Sequence, residues 1–323
     1  MRYRVTHTTR YRYRDMVALS YNEVRMQPRA CPHQQLLAST LEISPKPSDY
    51  RLRSDFFGNR VTWFSIREPH REFAVTAISD IVVAPVPAQL DWCESADWES
   101  VKAALSADTG EAMQEARQFS LTSPYIPPSA DLAEYAGASF TPGRPLIEAV
   151  HDLMQRIFRD FTFDPHFSNL ATPLSEVLEH RRGVCQDFAH LAIGCIRSQG
   201  LAARYVSGYI ETLPPPGVEK LIGADASHAW FSVFLPELGW LDFDPTNNQL
   251  PGDRHITVAW GRDYGDVAPL KGVIFGGQNH ELTVSVSVEN LEPDAVGIRG
   301  NPTSAAANNP AKITPLNPTP PIP

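Results

Sequence analysis

The sequence predicts an α+β protein in which a mostly β amino-terminal domain precedes a core of mixed helices and strands. Two observations predict it. Residues 1 to about 85 carry the alternation of half-buried strands, and from about 105 the apolar period lengthens to that of helices before strands return. The chain has 323 residues, of which 42% are hydrophobic. That is more than one core ordinarily organises, so two domains are expected.

The first element is the strand from Met1 to Tyr13, where Tyr3, Val5, Tyr11 and Tyr13 alternate with Arg2, Arg4, Arg10 and Arg12. The alternation places the arginines on the strand's outer face rather than in a basic recognition patch. Leu36 to Ile43 is a second apolar strand, and Gly58-Asn59 reads as a turn between two strands within Phe56 to Phe64. Phe73 to Val83 supplies another strand, ended by Pro85 and Pro87. Residues 1–90 form this domain, and no chemistry-bearing constellation falls in it.

Residues 91–144 read as a linker with short helices, one of them marked by Ala112, Met113 and Ala116. The core is expected over 145–290. Its first helix runs from Pro145 to Phe158, with Leu146, Val150, Leu153, Met154, Ile157 and Phe158 along one face. Thr172-Pro173 opens another, with threonine as cap and proline in the first turn, and that helix stops through His180-Arg181-Arg182-Gly183. Cys185 then opens a helix that buries Phe188, Leu191, Ala192, Cys195 and Ile196 and ends at Gly200. Strands follow at Ala203 to Ile210, His228 to Leu235, Trp240 to Phe243 and His280 to Val288. The loop with Pro214-Pro215-Pro216-Gly217 is expected to rim a cleft. Residues 291–323, rich in Asn, Pro, Thr and Ala, are expected to be a disordered tail.

A formal net charge of -9 argues against a nucleic-acid partner. No apolar run is long enough to span a bilayer, and the amino terminus lacks the pattern of a signal peptide, so the expected location is the cytoplasm, away from membranes. Cys31, Cys93, Cys185 and Cys195 are too scattered for a disulfide framework or a metal knuckle. No oxygen-rich calcium loop occurs. No cofactor or metal is expected.

The chemistry gathers in three segments. In the first, Gly183-Val184-Cys185 places a thiol at the start of a helix. A free thiol has a pKa of roughly 8.5, and unpaired N–H groups with the aligned peptide dipoles lower it at such a position. The same N–H groups can face a developing oxyanion. The second is Ser227-His228-Ala229-Trp230, which offers a base. The third is Asp242-Phe243-Asp244-Pro245-Thr246, which offers two carboxylates on one strand face, and alternation alone does not choose between them. An aspartate accepting the Nδ1 proton of His228 would leave Nε2 for the thiol.

Taken together, Gly183-Val184-Cys185-Gln186-Asp187-Phe188-Ala189, Ser227-His228-Ala229-Trp230 and Gly239-Trp240-Leu241-Asp242-Phe243-Asp244-Pro245-Thr246-Asn247 resemble the three-block signature of the transglutaminase-like superfamily. The first domain, beginning Tyr3-Arg4-Val5-Thr6-His7, resembles the amino-terminal domain of bacterial members. The resemblance implies a papain-like α+β core in which the nucleophile's helix packs on an antiparallel sheet. It implies Cys185 as nucleophile, His228 as base and Asp244, rather than Asp242, as orienter. Gln186, Tyr205 and Tyr209 are candidates for the oxyanion region or cleft wall. Asp187, Trp230 and Trp240 are expected to support the structure, Asp187 by tying the turn or an adjacent loop. The expected activity is acyl transfer at amide bonds of proteins or peptides, foremost as a cysteine protease or amidase-like hydrolase. Glutamyl transfer to amines and a non-catalytic binding module are the alternatives. Oligomeric state is not legible.

Overall fold

The computed structural model describes residues 1–85, 95–212 and 227–291. The proline-rich loop 214–217, the tail after 291, Pro87 and Cys93 lie outside the described residues.

Five strands open the chain: β1 (Arg2–Val24), β2 (Gln34–Ser44), β3 (Asp49–Ser54), β4 (Arg60–Ile66) and β5 (His70–Val83). They lie in the order β2-β5-β1-β4-β3. β1 obeys its sequence pattern over its first half: Tyr3, Val5 and Tyr13 are buried while Arg2, Arg4, Arg10 and Arg12 are exposed. Arg4 grips Asp80 on the neighbouring strand through two hydrogen bonds of 2.8 and 2.9 Å. The turn expected at Gly58-Asn59 is present, with Gly58 at φ +75, and β3 ends before it at Ser54.

Helices follow: α1 (Trp98–Ala107), α2 (Glu111–Arg117), α3 (Ala130–Gly137) and α4 (Leu146–Asp160). The segment read as a linker buries Val101, Leu105, Met113 and Leu132 in the same apolar cluster as α4. Asp97 and Ser129 cap α1 and α3 by accepting from N–H groups of the first turn, signals that lacked a long apolar period beside them. Along α4, Leu146, Val150, Leu153, Met154 and Ile157 are buried as expected, but Phe158 is exposed.

A parallel pair, β6 (Thr162–Phe163) and β7 (Arg182–Gly183), brackets α5 (Leu174–His180). Pro173 rather than Thr172 stands at the cap of α5, so the helix starts one position later than expected, and Thr172 instead accepts from the Asn169 N–H at 3.0 Å. Arg181 closes the helix in a left-handed conformation, φ 54.

Next come α6 (Cys185–Ser198), β8 (Ala203–Ile210), β9 (Ser227–Leu235), β10 (Gly239–Phe243) and β11 (His255–Gly261). The four strands form an antiparallel sheet ordered β10-β9-β8-β11. α6 lies between that sheet and α3, α4 and α5, so Asp187 to Ile196 are all buried, not one face alone. Burial of each large apolar side chain such as Leu191 or Ile193 contributes roughly 1.5–3 kcal/mol. Gly194 sits mid-helix because a Cβ there would meet Leu132 Cδ1 at 2.7 Å.

The chain then turns back through the short helix α7 (Tyr264–Val267). Its last two strands, β12 (Leu270–Gly276) and β13 (His280–Asn290), pair with β1. The strand expected at His280 to Val288 thus completes the first sheet and not the second. One apolar cluster runs from Tyr3, Val5 and Ile81 in the first sheet through α4 and α6 to β8 and β9.

Candidate active site

Cys185 is the first residue of α6, after Val184 in extended conformation. Asp187, third in the helix, accepts from the Val184 N–H at 2.8 Å and from the Ser168 hydroxyl. This is one half of a capping box, since Val184 has no side-chain oxygen to supply the other. Burial pushes the Asp187 carboxyl up, and the two hydrogen bonds pull against it. Gly183 is required by close approach: a Cβ there would lie 2.8 Å from Asp187 Oδ2 and 2.9 Å from its Cβ. The turn before Cys185 is thereby pinned by its own helix. Gln186 sits half-buried in the same first turn.

His228 is the second residue of β9, and Asp244 immediately follows β10, its neighbour in the sheet. His228 Nε2 donates to Asp244 Oδ2 at 2.8 Å, and both side chains are buried. The expectation that Nδ1 would face the carboxylate is corrected: Nε2 does. Asp244 Oδ1 accepts from the Thr246 N–H at 3.0 Å, and Oδ2 accepts from Asn247 Nδ2 at 2.7 Å. Burial alone would push the imidazolium of His228 down. The Asp244 charge, its hydrogen bond, and a hydrogen bond and charge from Cys185 outweigh it, and hold the group up at about 10. Burial likewise disfavours the Asp244 carboxylate. The His228 charge and hydrogen bonds from His228, His255 and Asn247 prevail and hold it well below the usual range.

Asp242, the other carboxylate of the pair, is committed elsewhere. It accepts from the Trp230 indole N–H at 3.0 Å and from the Ser232 hydroxyl, tying β9 to β10. Trp230 is buried, and its ring meets His255 edge-on at 5.3 Å. Trp240 packs edge-on against Phe119 and Phe234, with the Arg204 guanidinium between it and Trp260 at 4.3 and 3.8 Å. Tyr205 is buried against His190 and Tyr264; burial, then the charge of Cys185, raises its phenol well above the ordinary value. Tyr209 is buried, and its hydroxyl meets His7 Nδ1 at 2.9 Å, in the joint between the two sheets.

Sequence reasoning missed His255, the first residue of β11. Its Nδ1 accepts from the Gly252 N–H at 3.4 Å, so Nε2 carries the proton donated to Asp244 Oδ2 at 3.2 Å. Ile256, Thr257, Val258 and Trp260 offered a strand signal, but nothing in the pattern linked that strand to Asp244. Among the described residues, His228, Asp244 and His255 form the one group whose ligand atoms, within 4.8 Å of one another, come near enough to hold a metal. Their short contacts are hydrogen bonds in which two imidazoles share one carboxylate oxygen.

Comparison with known proteins identifies the family. Residues 3–82 match the bacterial transglutaminase-like N-terminal region, and residues 134–245 match the transglutaminase-like superfamily. The chain belongs to the transglutaminase-like superfamily. An uncharacterized protein of Mycobacterium tuberculosis is 44% identical over 304 residues, covering 91% of this chain and 95% of its own length. A Cytophaga hutchinsonii protein provisionally described as a cysteine protease shares the fold at TM-score 0.70 and 20% identity, over 93% of this chain and 94% of its own. The superfamily supports a transglutaminase-like or cysteine-protease-like hydrolytic function in general, with protein or peptide substrates. No helix among the described residues is long and apolar enough to cross a membrane. The cytoplasmic expectation is corrected. Solved structures similar to this chain include the periplasmic domain of TgpA from Pseudomonas aeruginosa, at 17% identity over 74% of this chain and 89% of that one, TM-score 0.29. Free thiols at Cys31, Cys185 and Cys195 do not by themselves mark a reducing compartment.

Proposed function

We propose that this superfamily member is a thiol-dependent enzyme that cleaves amide bonds of proteins or peptides, with Cys185 as nucleophile, His228 as base and Asp244 as its orienter. The observation that carries the reading is the buried hydrogen bond from His228 to Asp244, with Cys185 among the groups that keep the imidazole charged. Because Nε2 is given to Asp244, Nδ1 is the nitrogen left for the thiol.

The Cys185 thiolate attacks the amide carbonyl carbon, and the carbonyl electron pair moves onto oxygen. N–H groups at the start of α6, beside Cys185, are the donors proposed to stabilise that oxyanion. As the C–N bond breaks, the His228 imidazolium gives its proton to the departing amine, leaving a Cys185 thioester. His228 then takes a proton from water, whose oxygen attacks the thioester and releases the acid and the thiolate. An amine in place of water would give a cross-link. Water is the acceptor proposed, since it needs no dedicated binding site.

The test is labelling with a thiol-reactive probe, followed by mass spectrometry of peptides incubated with and without an added amine. The reading expects Cys185 to label fast, the signal to vanish in Cys185→Ala and weaken in His228→Ala, and hydrolysed peptide to dominate. Amine adducts in excess would make it a transferase. Labelling no faster than that of a free thiol, without product, would make it a binding module.

A further inference from the structure

β11 is an outermost strand of the second sheet, yet its outer edge is paired. Two side chains of the amino-terminal domain do the pairing. The Gln34 amide donates to the Thr257 C=O and accepts from the Thr257 N–H, both at 2.8 Å. The Asn59 amide does the same to Trp260, at 2.8 and 3.0 Å. Each primary amide reproduces the donor and acceptor of a peptide group, so together they stand in for a missing strand. Thr257 and Trp260 are three apart, and a bulge between Thr257 and Ala259 brings both to the same edge. Both amides are buried, and each is locked in turn: Gln34 Nε2 also donates to the Arg29 C=O at 2.7 Å, and Asn59 Nδ2 to Asp55 Oδ2 at 3.0 Å. Two residues before Thr257 stands His255, whose Nε2–H holds Asp244. His255 lies beyond residues 134–245, the span matched to the superfamily.

We infer that the amino-terminal domain positions the carboxylate of the active site: Gln34 and Asn59 build the edge of β11, and β11 holds Asp244 through His255. His255 is thus a positioning residue that acts through Asp244 and not on substrate. The inference rests on the triad proposed above. The titratable groups facing the His228–Asp244 pair are His255 from β11 and Cys185 from α6, with Tyr205 of β8 acting on Cys185.

The test is the titration midpoint of the His228 ring, followed by NMR in the full chain. In His255→Ala, water fills the vacated space beside Asp244. A solvated pair moves toward solution behaviour, so the midpoint falls by about one pH unit or more toward 6.5. His255→Gln, which refills the space and restores an N–H donor, recovers more than half of that fall. Gln34→Ala lowers the midpoint in the same direction by less, speeds hydrogen exchange at the Thr257 N–H, and adds nothing on top of His255→Ala. A loss of stability alone would leave the midpoint of the folded protein where it was. Should His255→Ala fail to fold, Gln34→Ala decides: faster exchange at Thr257 with an unmoved midpoint overturns the inference. So does a folded His255→Ala with the original midpoint, or a fall that His255→Gln does not reverse. A midpoint near 6.5 in the unaltered protein would instead overturn the triad reading itself.

Discussion

Asp244→Asn removes one charge and almost no volume, so it isolates what the carboxylate does for His228. With its midpoint held at about 10, the buried imidazolium is favoured at pH 7 by roughly 4 kcal/mol. Without the carboxylate, burial is the dominant influence left, and it acts downward. The expected midpoint in Asp244→Asn lies below the ordinary 6.5, so the ring is neutral at pH 7. Histidine ring signals followed by NMR from pH 5 to 10.5 read this directly. The sign for stability follows by linkage. His228 has a raised midpoint, so its contribution is complete below 6.5 and is lost as pH climbs through about 10. Asp244 has a lowered one, so its contribution is present above about 3.9 and is lost as pH falls. The parent protein should therefore lose stability to urea between pH 7 and 10, and Asp244→Asn should lose less over that window. If His228 of folded Asp244→Asn still titrates above pH 8, the account of the pair is wrong.

Other substitutions separate the roles of neighbouring residues. Asp242→Ala strips the partners of the Trp230 indole and the Ser232 hydroxyl, and should cost about 1–3 kcal/mol in urea unfolding while leaving the His228 midpoint in place. A moved midpoint would show that Asp242 acts on the site. Gly183→Ala forces a Cβ against Asp187 and should destabilise by about 1–3 kcal/mol and slow Cys185 labelling, and an unchanged urea midpoint would contradict the close approach. Leu153→Ala, in the fully buried stripe of α4, should cost about 2–5 kcal/mol by calorimetry with labelling intact below the transition; a cost under 1 kcal/mol would mean the stripe is not core.

Local pattern explains why so much of this fold is legible. The alternation in β1, the apolar stripe of α4 and the Gly200 stop after α6 are each set by neighbours a few residues away. β8 runs over the very residues its pattern marks. Short helices are expected over 91–144, but the sequence does not place α1 and α3 individually, because few apolar positions leave little period to read, although Asp97 and Ser129 announce their starts. At the site, the residue pattern marked Cys185 and His228 but left Asp242 and Asp244 equivalent, and only the resemblance to the superfamily chose Asp244. They differ in what lies across the sheet, an indole and a hydroxyl for one and an imidazole for the other. The place of His255 depends on β11 pairing with β8, and that of Tyr209 on two sheets meeting. No run of neighbouring residues encodes either.

β1 has one further consequence, for how the protein is made. Its first half is flanked by β5 and β13 and its second by β4 and β12, so residues 2–24 wait for residues 270–290. During synthesis, an early chain of 90 residues can assemble β1 to β5 only with one flank of β1 bare along its length. Such a flank invites pairing with another nascent chain. Closure across so long a separation is slow in general, which makes the final docking of β12 and β13 a natural client step for a chaperone.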